Sequence, residues 1–501
     1  MQPTIPAPPA AQATPRRTWT ARVFSLPTVL GLLLLSLLFV FTGSGSGASN
    51  LDDPDIWWHL RNASQLLHSG HFIRADSWTF TVAGKPWINF EWLADLPYYF
   101  AYQHWGDQGL YVGMMLLMST IVAGVYWLGC LRSQDCKASF AACLVGLHFV
   151  TVSLAPRTLL FGWLFLVLEL GILWSLQSGR DYTAWLPPLF LLWINTHGSW
   201  LIGFAVMVVF FACGFVQGEW GNLHAARWTH RQQGKFLLVT ITSFALLFVN
   251  PYGWRLVAYP LDVALHQQQT LQHVSEWMSL DFHTARGKTA LATLLLFGVL
   301  QLVHARKWSL QDLALVFIAL YGGLTYVRFL FLMGIVIMPL LAMELRGVLA
   351  KPYEAEKDRR WINAVAAAVV LAMIAGFWPS RSQLHAGITR VNPEKALPTI
   401  QSLAGTGNLF NAIEWGAYLE WHAPQVKEFV DTRIDIFVHQ GTLSDYLQAT
   451  NIQDPYAILD KYQIRYVLVG KQFPLAWLLE HNPAWKITYQ DDLAVLLERV
   501  H

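Results

Sequence analysis

The residues best equipped for chemistry stand together early in the chain, as Leu51-Asp52-Asp53-Pro54-Asp55-Ile56-Trp57-Trp58-His59-Leu60. Three carboxylates within four positions can take a proton as a general base, or hold a divalent cation beside a phosphate. Pro54 stiffens the turn between them, and Trp57 and Trp58 suit the headgroup depth of a membrane. The same residues have a structural account: Asp52, Asp53 and Asp55 cap a helix that begins near Ile56, and the tryptophans anchor it. Spacing alone leaves both accounts open.

What positions this cluster follows from composition. The 501 residues are 54% hydrophobic and 13% charged, with 24 Trp, 17 Tyr and 29 Phe and a formal charge of +2. That describes a membrane protein and argues against a disordered tail, a coiled coil or a nucleic-acid partner. Charge is also unevenly spread. Residues 380–501 hold 10 Lys+Arg and 13 Asp+Glu, against 24 and 19 in residues 1–379, so the chain reads as a bilayer portion followed by a soluble domain.

The Pro/Ala/Gln-rich start through Pro15 reads as disordered and cytoplasmic, and 1–25 precede the first apolar run from Leu26 to Phe41. That run is read as a first membrane helix, with a cleaved signal peptide as the alternative because GSGSGAS follows it. Further apolar runs lie near 109–131, 138–155, 158–178, 183–196, 198–217, 236–250, 288–304, 310–326, 328–345 and 361–378, making about eleven spans with the first. Placing the N-terminus inside puts Arg132 and Lys137, Arg180, Arg227, Arg231 and Lys235, Arg306 and Lys307, and Arg346 to Arg360 all on the inner side. The outer side then receives a loop over 43–109, turns at Arg157, His197 and Arg328, a second loop over 250–287, and the C-terminal segment.

Cys130, Cys136, Cys143 and Cys213 fall in spans or on the inner side, so no disulfide framework is expected. Within the first loop, a helix from about Ile56 and an amphipathic helix from Asn89 to Tyr102 are expected to lie on the interface. Beyond residue 379 the period changes to strands at 407–411, 427–430, 464–469 and 486–489 with helices at 414–421, 443–450 and 475–480, a small α/β domain.

One N-terminal span, an acidic motif opening a long outer loop, two loop helices and about ten further spans resemble the GT-C superfamily of membrane glycosyltransferases. The order DDPDIWWHL, Ser69-Gly70-His71-Phe72-Ile73, Gly84-Lys85-Pro86-Trp87 and Glu91-Trp92-Leu93 carries the likeness. It looks most similar to a bacterial branch with "DPDxWWHL", "WxNxHG", "NPxGW…YP" and "EW", seen here at Asp53 to Leu60, Trp193 to Gly198, Asn250 to Trp254 with Tyr259-Pro260, and Glu276-Trp277. In the C-terminal segment, Glu414-Trp415-Gly416-Ala417-Tyr418-Leu419 and Asp431-Thr432-Arg433 extend it.

The resemblance implies a polytopic α-helical fold in a bacterial inner membrane, with the C-terminal domain outside. It implies transfer of a sugar from a polyprenyl-phosphate donor to a glycan, lipid or protein acceptor. The family's loop carboxylate falls on Asp53 or Asp55, as base or as contact to a divalent cation (Mg or Mn); Asp55, directly before the tryptophans, is preferred. Pro54 between them departs from the adjacent acidic pair of several members.

A lipid phosphate at the outer surface needs cations, and Arg328, Arg157 and Arg255 are the candidates, each with snorkelling at a helix end as its structural account. Trp57, Trp58, His59, Glu91, His197 and Glu276 complete the candidate substrate-binding set. His59 either assists proton transfer or a metal, or stays a surface histidine; His197 fits a tight, hydrogen-bonded turn. Glu276 either meets the acidic motif across the cavity or pairs with a basic residue, and Asp431 with Arg433 reads as a structural ion pair. Glu169 in LFLVLELGILW must face the bundle interior. A transporter or a non-catalytic assembly protein would use the same architecture without this chemistry; Glu169 is the main polar group in the spans, which argues against a transport path.

Overall fold

The computed structural model describes residues 18–43, 51–150, 153–266, 275–304, 306–349 and 351–500; the start through Pro15 and part of the second outer loop, 267–274, lie outside the described residues. Every apolar run read from the sequence falls on a helix. Four helices are long and apolar enough to cross a membrane: Asp107–Ser133, Leu159–Gln177, Ala285–Val303 and Val327–Val348. A fifth forms if Arg360–Gly376 and Arg381–Val391, bent by 48°, are taken as one span.

The remaining runs make shorter apolar helices, Leu26–Thr42, Cys136–Phe149, Thr183–Ile194, Trp200–Cys213 and Leu310–Thr325. At about 1.5 Å per residue these reach less than the ~30 Å of hydrocarbon, so the structure by length supports fewer spans than about eleven. Local chemistry explains the shortening. Helix His230–Leu246 spends its first turns on His230, Arg231, Gln232, Gln233 and Lys235, and Ile194 is followed by the Asn195-Thr196-His197-Gly198 turn. Residues 333–337 within Val327–Val348 adopt a π-helical turn, all of them buried.

The bundle centres on Asp107–Ser133, which packs against Cys136–Val150, Leu159–Gln177 and Met338–Val348. Gly129 makes one of these approaches possible, since a Cβ there would stand 2.2 Å from Ser139 Oγ. The polar turns sort to two ends. At one, Arg132 pairs with Asp312, and Tyr353 N–H and Arg346 both reach Asp135. At the other, the first loop meets the turns at Arg157, Asn195 and Pro251: Tyr98 Oη donates to the Arg157 carbonyl, Trp92 Nε1 to Asn195 Oδ1 and Arg74 to the Pro251 carbonyl.

The first loop folds as helix Asp55–Ser69, closed by Gly70 at φ 69°, an excursion held by the Ala75–Pro86 bridge, and helix Trp92–Trp105. Trp57 is 1% exposed, its ring set against Tyr102, Tyr418 and His422. It therefore joins the loop to helix Ile413–His422 of the C-terminal segment and does not anchor the chain at headgroup depth. Removing such a ring costs about 3–5 kcal/mol.

The C-terminal segment is built on a four-stranded sheet in the order Asn408–Asn411, Ile464–Gly470, Ala494–Arg499, Trp485–Gln490, with the first pair parallel and the others antiparallel. Strand Ile464–Gly470 is buried on both faces from Tyr466 onward, as its Tyr-Val-Leu-Val run requires. The expected strand at 427–430 is absent; its backbone is held by the Asn411 side chain, which accepts from Phe429 N–H and donates to the Val430 carbonyl, and by Phe80 N–H on the Glu428 carbonyl. Ala494–Arg499 is a strand that periodicity missed.

Candidate active site

Asp53 is 2% exposed, and both of its oxygens are engaged. Oδ1 accepts the Asp55 backbone N–H at 3.0 Å, an aspartate turn that starts helix Asp55–Ser69, and Oδ2 accepts from Arg157 Nε. Arg157 also donates from Nη1 to Glu276 Oε1, while Arg328 Nη1 stands 3.8 Å from Glu276 Oε2 and over the Trp277 ring at 5.2 Å. Burial acts to raise the Glu276 carboxyl, but the two guanidiniums hold it below its usual range.

Asp55 differs. No guanidinium is hydrogen-bonded to it among the described residues, it is only partly buried, and the Thr432 side chain from the C-terminal segment faces it. Its carboxyl is pushed up by burial first and by the Asp53 charge second, the direction that makes a carboxylate a stronger base.

Behind this pair lies a buried polar chain. His59, 2% exposed, is not a surface histidine: Nδ1 lies 2.6 Å from Asp95 Oδ1, and Trp58 lies on its ring at 3.6 Å. Asp95 Oδ2 accepts from Asn62 and Asn89 at 2.5 and 2.7 Å, so its charge is fully supported. Burial by itself would lower His59; Asp95, Glu91 and Asp55 raise it to about 9. Glu91 stands between two imidazoles, 3.6 Å from His59 Nε2 and 3.3 Å from His197 Nε2, and burial pushes it up to about 7. His197 Nδ1 accepts from Ser199 N–H at 3.0 Å, which leaves its proton on Nε2 facing Glu91; burial, with Arg328 and His59 nearby, lowers it to about 3 and keeps it neutral.

The structure thus gathers Asp53, Asp55, His59, Glu91, Arg157, His197, Glu276 and Arg328 at one end of the bundle. Arg255 is exposed on helix Trp254–His266 with no ion pair to the group, and Trp57 faces the aromatic seam described above. Sequence reasoning missed Asp95, and it named Tyr259 and Asp435 only within longer motifs, without a role in the site. A lone acid in the otherwise apolar LADLPYYF was the only signal for Asp95. Tyr259 stacks on Phe90 at 4.5 Å and hydrogen-bonds Asp435, whose carboxyl burial raises to about 6.

Asp53 and Asp55 do not make a fitting donor set for the expected Mg or Mn. Arg157 already supplies a positive charge at Asp53, and among the described residues no third carboxylate or imidazole joins the two within ligand range.

No protein-family model and no curated protein matches the chain. Its backbone is similar to that of the oligosaccharyltransferase from Archaeoglobus fulgidus in the apo form, with a TM-score of 0.54 and 11% identity over 91% of this chain and 70% of that one. AglB from the same organism, in complex with an inhibitory peptide and a dolichol-phosphate, gives 0.51 and 12% over 90% and 70%. ArnT from Cupriavidus metallidurans bound to undecaprenyl phosphate gives 0.52 and 14% over 96% and 98%. At these identities the likeness is one of fold alone.

Proposed function

We propose that the chain is a membrane glycosyltransferase that moves a sugar from a polyprenyl-phosphate donor to an extracytoplasmic glycan, lipid or protein acceptor. Asp55 takes the proton from the acceptor nucleophile as it forms its bond to the anomeric carbon. The bond from that carbon to the phosphate oxygen breaks in the same inverting step, and polyprenyl phosphate leaves. Arg328 and Arg157 bind the departing phosphate, Arg328 foremost because among the described residues its one ion pair is the long one to Glu276. Glu91, poised near neutrality beside His59 and His197, supplies the buried proton store behind the base. No step is routed through a metal.

The observation that carries this reading is the division of labour between two neighbouring aspartates, Asp53 tied to Arg157 and Asp55 left beside the same guanidiniums without a hydrogen bond to them. The fold shared with proteins solved with dolichol-phosphate and undecaprenyl phosphate supports the donor class. The test is sugar transfer by purified wild type, Asp53→Asn and Asp55→Asn from synthetic polyprenyl-phosphate sugars. Loss of turnover in Asp55→Asn with donor binding retained is expected; unchanged turnover in that variant removes Asp55 from the mechanism.

A further inference from the structure

A second acidic group lies in the C-terminal segment, distinct from the Asp53–Asp55 pair. Glu420, at the end of helix Ile413–His422, meets Glu428 and Asp431, which follow it in the chain, with one oxygen of each within 4.8 Å of the others. Gly416 permits this fold-back, because a Cβ there would stand 2.2 Å from the Val430 carbonyl oxygen. All three residues are sealed, at 2%, 0% and 0% exposure.

Arg433 compensates part of the charge. It reaches Asp431 at 2.6 Å, Asp76 of the first loop at 2.7 Å and Glu420 at 3.3 Å, under Trp78 and Trp87. One guanidinium against four buried carboxylates leaves the group short of positive charge, which protons or a bound cation must supply. The independent sign of a missing ligand is Glu428. Its side chain is fully buried, both of its oxygens lack a hydrogen-bond partner among the described residues, and one of them lies within 4.8 Å of an oxygen of each of the other two acids; Glu420 Oε2 is unpartnered as well. A buried charged group is normally paired or bound to a metal, so such oxygens call for a cation.

We propose that Glu420, Glu428 and Asp431 hold a divalent cation of the calcium class. The donors are all hard carboxylate oxygens, with no imidazole or thiolate in the group, which selects an alkaline-earth ion over zinc or copper. Asp431 Oδ1 already accepts twice from Arg433, while Asp431 Oδ2 and Glu420 Oε1 accept once each, so the unengaged donors are Glu420 Oε2 and the two Glu428 oxygens. The ion fixes the bend that carries Thr432 to Asp55 and Arg433 to Asp76, and so joins the C-terminal segment to the first loop. The site stands whether or not the loop group transfers sugar.

The full chain in nanodiscs, stripped with a chelator, provides the test. Ca2+ binding is read by elemental analysis and by thermal unfolding, and Tb3+ is read by luminescence excited through the tryptophans that flank Arg433. Wild type is expected to take up about one ion per chain, to unfold several degrees higher with Ca2+, and to sensitise Tb3+. Glu428→Gln loses all three responses, whereas Asp55→Asn keeps them. If Glu428→Gln does not fold, Glu428→Asp serves in its place and is expected to shift the Tb3+ midpoint at least tenfold. A wild type whose unfolding ignores millimolar Ca2+ overturns the site and leaves protons as the counter-charge. Responses lost in Asp55→Asn and kept in Glu428→Gln overturn it too, by placing the ion at the loop carboxylates.

Discussion

Two groups of buried acids, each served by arginine, sit on either side of the contact between the first loop and the C-terminal segment, and they are built differently. Around Arg433 the ion-paired side chains are at most 1% exposed, and aromatic rings close over the guanidinium. Around Arg157 and Arg328 the guanidiniums are 26% and 30% exposed and Glu276 31%, with one carboxylate left outside the pairing. A sealed group whose spare oxygens face only protein joins chain segments, whereas an open and unevenly paired one has a charge left over for a substrate. The contrast teaches that burial alone does not mark a functional carboxylate; spare bonding capacity on an accessible side does.

Breaking the sealed group should do the most damage. Arg433→Met leaves Asp76, Glu420, Glu428 and Asp431 without their guanidinium, and removing one partner of a buried pair costs about 3–5 kcal/mol. The expected outcome is a large fall in unfolding temperature and in yield of folded protein. A variant as stable as wild type would erase the distinction drawn between the two groups.

Asp55→Asn should do the opposite, leaving the unfolding temperature close to wild type and removing turnover by about 10²–10⁴-fold, the range for a general base. In the wild type, turnover should fall as the pH drops through the raised range of Asp55, above that of an ordinary carboxylate. The effect of Arg328→Gln should be smaller, about 10²-fold in kcat at most, because Arg157 still faces the phosphate. Its Glu276 carboxyl would also lose one of the two cations that hold it low.

The sequence made the open group largely legible and the sealed one barely so. Asp53, Asp55 and His59 lie within seven positions, and Arg157, His197, Glu276 and Arg328 were found because each sits at a break between apolar runs. Sidedness arguments place such breaks at one end of a bundle, where the structure brings them together. Asp431 and Arg433 read correctly as a local pair, but Asp76 is 357 positions from Arg433, and no local period reports that contact. Apolar length misled in another way: the runs at 183–196 and 198–217 were read as spans, but the helices Thr183–Ile194 and Trp200–Cys213 are too short to cross ~30 Å of hydrocarbon.

The smallest effect, and the one that sharpens the comparison most, is the pH dependence of the His59 group. Its folded value of about 9 lies above the ordinary 6.5, so the folded protein holds a proton that the unfolded chain releases. That contribution to stability is fully present below about pH 6.5 and is lost as pH rises to about 9. Glu91, raised from 4.5 to about 7, acts with the same sign over a lower window. Stability should therefore decline between about pH 5 and 9 by way of these two groups, and His59→Asn should flatten the upper part of that decline. Asn cannot take the proton, and it keeps a donor for Asp95. Unfolding temperatures of the two proteins measured across pH 6 to 9.5 test this, and parallel curves would mean that the loop imidazole is neutral in the folded protein. Asp95 would then be served by a neutral imidazole donating from Nδ1, with Asn62 and Asn89 on its other oxygen.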